Sequence, residues 1–144
     1  MLKLVIHPGV NMAPVVVFDE TASPAQWCLN GFDPRETVMI QRTPLWRSAY
    51  QFLAARFNAA NDWAITVDRS FSTELAAQLF KATYPLTVPF AGELELQFHT
   101  AAGSAILYCK SAARQGITFP QPTGQNRVIT QMTWSLGAPW SNSP

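Results

Sequence analysis

"DRSFSTELAAQLFKATYP", residues 68–85, is the one stretch of this chain with a clear helical pattern, and the segments around it read as strands. Ser72 or Thr73 is placed to cap the helix and Glu74 suits the positive end of its dipole. Leu75 and Leu79, with Ala76 and Phe80, form an apolar stripe. Pro85 disfavours helix at the residue before it and predicts a stop near Tyr84, so the helix spans about 72–84. A helix of three turns does not persist alone in water. Leu75, Leu79 and Phe80 are therefore expected to be buried against strand residues, with Gln78 and Lys81 facing solvent or a neighbouring subunit.

Working outward, "WAITVDRSF" alternates Trp63, Ile65 and Val67 against Ala64, Thr66 and Asp68, the period of a half-buried strand. "YQFLAARF" before it reads as its hairpin partner across "NAAND", although its Ala and Leu content also suits a short helix. Downstream, "ELELQF" sets Leu94, Leu96 and Phe98 inward and Glu93, Glu95 and Gln97 outward. "SAILYCKSA" follows a turn at Gly103, and "RVITQMTWSL" places Val128, Thr130, Met132, Trp134 and Leu136 on one face. "LKLVI", "PVVVF" and "TVMIQ" are short apolar runs bounded by turn residues. "TASPAQWCLNGFDP" fits either a loop packed by Trp27 and Phe32 or a loop enclosing a brief strand. The expected fold is mainly β: an antiparallel sandwich or barrel with one flanking helix, a single domain over 1–137. The polar tail 138–144 reads as loose, with Trp140 available to pin it.

Composition narrows the function. The chain has 144 residues, enough for one domain with a sizeable core. Only 13% of them are charged, against about a quarter in an ordinary domain. So much uncharged surface is better covered by a partner than left in water. The formal charge is +1 and the Lys and Arg residues are scattered, which argues against nucleic-acid recognition. Cys28 and Cys109 sit among apolar neighbours and read as buried free thiols. No segment has the length of a signal-peptide core or a membrane span, so the expectation is synthesis in the cytoplasm and no membrane partner.

Reaction chemistry is hard to find. His7 lies in a Pro-Gly turn, and His99 falls in the outward phase of its strand. No metal-ligand spacing, nucleophile elbow or phosphate-binding glycine loop is present, and no cofactor is expected. Glu93 and Glu95 share a face at about 7 Å, the separation of alternate strand positions, and read as a solvated strand face rather than an acid-base pair. Of the five Trp residues, Trp63 and Trp134 fall in the apolar phase of strands. Trp27, Trp46 and Trp140 lie in or beside loops, where a glycan-binding module would carry its stacking platforms.

The order strand, Ser/Thr-capped helix with an Ala-rich interior, Pro, then "P.AGELELQF" resembles small tailed-bacteriophage and prophage structural proteins of the tail-tube type. The resemblance is one of pattern over residues 43–136. It implies a β-sandwich or barrel with one helix on its side, copies that assemble into rings, contacts to other tail proteins, and a place in the virion. Trp27, Trp46, Trp140, Gln78 and Lys81 are the candidate interaction surface, and a ligand-binding β-sandwich is the rival reading.

Overall fold

The computed structural model describes residues 1–22, 26–32, 37–45, 51–58, 61–120 and 126–144. Among them are ten strands and one helix, in the order β1 (Leu2–His7), β2 (Val15–Asp19), β3 (Gln26–Cys28), β4 (Thr37–Pro44), β5 (Gln51–Asn58), β6 (Asn61–Ser70), α1 (Glu74–Thr87), β7 (Ala91–Thr100), β8 (Gly103–Arg114), β9 (Arg127–Leu136) and β10 (Trp140–Ser141). Eight form one antiparallel sheet, ordered β2-β1-β7-β8-β9-β6-β3, with β10 on β8. The fold is mainly antiparallel β with one helix, as the alternating segments require.

The sheet rolls round one core. Leu4 and Ile6 of β1, Val17 and Phe18 of β2, Leu94 and Leu96 of β7, and Ile65, Val67 and Trp134 of β6 and β9 are all buried in a single cluster. The edge strands β2 and β3 meet through side chains rather than a ladder. The Glu20 carboxylate accepts the backbone N–H of Leu2 at 2.6 Å and of Cys28 at 3.0 Å, and Asp19 N–H donates to Gln26 Oε1 at 3.0 Å. Charge-assisted bonds of this kind close a gap where the strands cannot pair directly. At the β1–β7 border, a Cβ on Gly92 would stand 2.4 Å from the carbonyl oxygen of His7, so only glycine allows that approach.

Trp63 and Trp134 oppose each other across β6 and β9 and belong to the core. Their indole N–H groups are buried without a hydrogen-bond partner among the described residues, a cost that burial of the surrounding aromatic surface must exceed. Phe32 and Trp140 meet Trp63 edge-on, with ring centroids 5.5 and 5.9 Å away.

Three expectations are corrected. The described part of "YQFLAARF", from Gln51 on, is strand, but β5 pairs along all eight of its residues with β4 and not with β6. β6 is occupied by β9 on one side and β3 on the other. Alternation specifies which face a strand buries, not which strand it pairs with.

The helix does not stop at Tyr84. It runs to Thr87 with Pro85 inside its last turn. Arg114, reaching over from β8, donates to the carbonyls of Pro85 at 3.2 Å and Val88 at 2.8 Å. The guanidinium thus satisfies C-terminal carbonyls and the negative end of the dipole, a role no basic residue of the last turn fills.

The buried face of the helix is also different. Leu75 and Leu79 are 69% and 56% exposed, while Ala77 and Tyr84 are buried and Phe80 is half-buried. Small Ala77 lets the helix come close, and Phe80 stacks on Tyr84 at 4.6 Å and packs against Phe71.

In the tail, Trp140 is the residue that packs on the body. Trp140 and Ser141 pair with Cys109 and Tyr108, because the aromatic cluster around Phe32 gives Trp140 a place to pack.

Candidate functional site

The helix is held by two buried cations. Arg69 on β6 donates to Val17 O at 2.6 Å, Thr130 Oγ1 at 3.0 Å and the Tyr84 hydroxyl at 3.3 Å, and its guanidinium lies over the rings of Phe80 and Tyr84. Tyr84 in turn donates to Val17 O at 2.7 Å. Burial lowers the Arg69 pKa, partly offset by Tyr84, and burial raises that of Tyr84 despite the nearby guanidinium. The phenol is therefore neutral near pH 7 and provides a hydrogen bond rather than a countercharge. Arg114 completes the mount from β8 and lies over the ring of Phe90 at 4.1 Å.

That mount turns an apolar face outward. Leu75, Leu79 and Leu86 fall within roughly 40° of one another at the pitch of an α-helix. Leu86 is 86% exposed, and Phe90, just past the helix, is 69% exposed. Gln78 is exposed as expected, whereas Lys81 is half-buried.

Of the three loop tryptophans, Trp27 and Trp140 lie in different surroundings. Trp27 is 49% exposed on the outer face of β3, opposite Asp68 of β6. Trp140 is half-buried against the core aromatics, and Trp46 lies outside the described residues.

The acidic strand face of β7 is tied to its neighbours. Glu95 accepts from Gln97 at 2.6 Å and pairs with His7 Nε2 at 2.8 Å, and His99 contacts Gln97 Oε1 at 3.3 Å. Burial works against the Glu95 carboxylate, but the bonds from Gln97 and His7 outweigh it and its pKa is lowered. Lys3 stands 3.6 Å from Asp19. Among the described residues, no group of three or more His, Cys, Asp or Glu is arranged to hold a metal ion. Cys28 and Cys109 are free and buried, and burial raises both thiol pKa values, the opposite of an activated nucleophile.

A polar groove of about 440 Å³ crosses the outer face of β6 and β9. Thr66 and Gln131 face each other across the ladder on its floor, and Gln115, Gly116 and Thr118 line one side. The outward phase of these residues is legible in the sequence. Their convergence is not, because it depends on the β6–β9 register.

Comparison with known proteins returned no matching family model, no matching curated protein and no matching solved structure. No helix among the described residues is long and apolar enough to cross a membrane.

Proposed function

We propose that this chain is a non-enzymatic structural subunit of a phage or prophage tail, of the tail-tube type, that works by self-association into rings and by contacts to other virion proteins. The observation that carries this reading is the β4–β5 ladder. Eight residue pairs long, it is hydrogen-bonded to no strand of the main sheet among the described residues. A two-stranded ribbon is marginal by itself in water, and among the described residues no further strand pairs with either of its edges. A neighbouring copy supplies what the ribbon lacks.

Charge and surface agree with that. Residues 37–58 carry Arg42, Arg47 and Arg56 and no acidic residue, leaving seven cations against nine acids in the rest of the chain. A basic arm and a mildly acidic body suit a head-to-tail contact, the kind that closes into a ring when the rotation permits. The outward leucines of α1 and Phe90 add apolar surface for a second contact.

Light scattering and negative-stain electron microscopy of the purified protein test the proposal. Rings or short stacked tubes are expected. A strict monomer at the highest concentration attainable overturns it.

A further inference from the structure

We infer that the groove on the outer face of β6 and β9 is a binding site for a neutral oligosaccharide, independent of self-association. Its volume of about 440 Å³ lies within the ordinary range of small-ligand sites, roughly 300–1,000 Å³. Its lining chemistry is specific. Asn30, Gln115 and Gln131 contribute carboxamides, and Thr66, Thr118 and Thr133 contribute hydroxyls. Among the described residues, no titratable side chain lines it.

Each carboxamide sets a donor beside an acceptor, the arrangement that matches adjacent sugar hydroxyls, each of which both donates and accepts. An anionic ligand would find no cation in the lining, and an apolar one would leave these polar groups without water or partner. An added peptide strand is also excluded. The floor strands are already paired: Thr66 with Gln131, Leu29 N–H with Thr66 O, and Gln131 with Thr118 through both backbone groups. Recognition in this groove must come from side chains, not from strand addition.

Trp27 is not part of the lining but stands close to it in the sheet. Trp27 opposes Asp68 on the same outer face, so it is the diagonal neighbour of Thr66, at a distance an indole spans. Its half-exposed ring offers an apolar plane beside the polar floor, the combination that a pyranose, with its apolar face and polar edge, requires. The scaffold is stiff, since the floor belongs to a ten-residue antiparallel ladder.

Gly116 provides a clean block. It lines the groove, and a Cβ added there meets no atom within 4 Å, so a larger side chain occupies ligand space without disturbing the fold.

The test uses the full chain with neutral oligosaccharides of cellulose, xylan, mannan, amylose and chitin, read by saturation-transfer NMR and calorimetry. At least one is expected to bind with a Kd between about 1 μM and 1 mM, with little dependence on salt. Gly116→Leu, Gln131→Ala and Trp27→Ala are each expected to weaken binding about tenfold or more, with melting temperature and oligomeric state unchanged. Silence across the panel overturns the inference. So does binding that survives Gln131→Ala and Gly116→Leu, or binding confined to acidic sugars and abolished by salt. Gln131 is exposed, so its variant remains informative even if Gly116→Leu fails to fold.

Discussion

Tyr84 shows how one residue sets the position of a whole element. Its ring stacks on Phe80, and its hydroxyl joins the Val17 carbonyl and the Arg69 guanidinium, so α1, β2 and β6 meet at one oxygen. In Tyr84→Phe the ring stays and Val17 O keeps its bond from Arg69, but the buried cation loses an acceptor. A loss of about 1–2 kcal/mol is expected in urea unfolding, with unchanged slope and unchanged secondary structure. A variant as stable as the parent would mean that the ring alone mounts the helix. This role was not legible in the sequence. Tyr84 appeared there as the last helical residue before a proline, and nothing local shows that a carbonyl and an arginine far away in the chain converge on it.

At the scale of the element, α1 was visible from its cap and its composition, and Thr73 does accept from Ala76 N–H at 3.2 Å. Its orientation is not legible in the sequence, because the leucine stripe is the stronger apolar signal while Ala77 and Tyr84 are the residues buried. An apolar stripe identifies a face that prefers to leave water, and in an assembling protein that face can belong to a neighbour rather than to the core. The exposed leucines give a prediction that separates the two. Leu79→Glu and Leu86→Lys should each change the stability of the isolated subunit by no more than about 0.5 kcal/mol, as surface substitutions do. The same changes should shift the population toward smaller species in sedimentation velocity. Loss of folding on Leu79→Glu would place that side chain in the core after all. Pro85 carries the complementary lesson. A stop signal read from the sequence gives way when a remote side chain, Arg114, takes over the carbonyls at the helix end.

For the molecule as a whole, β1, β2 and β7 are linked by carboxylates, and this makes stability depend on pH. Burial disfavours the Asp19 carboxylate, but the hydroxyl and N–H of Thr21 and the charge of Lys3 outweigh it, so its folded pKa lies below the ordinary value, as does that of Glu95. Groups with lowered folded pKa values contribute stability that is complete above their unfolded values and is lost as pH falls through the folded ones. The melting temperature should therefore hold near neutrality and decline below about pH 4, and Glu95→Gln should flatten that decline. An acid profile identical in Glu95→Gln would remove Glu95 from the account. The sequence by itself determined the β class, the inward and outward phases of β6, β7 and β9, the buried thiols and the start of the helix. Each follows from a period or a contact short enough to lie within one segment. The tertiary structure alone decided that β5 pairs with β4, that Glu20 bridges the edge strands, which face of α1 is buried, and where Thr66 and Gln131 meet. These features depend on pairings between residues distant in the chain. Strand alternation is compatible with many such pairings, and the one adopted is selected by the packing of the whole core.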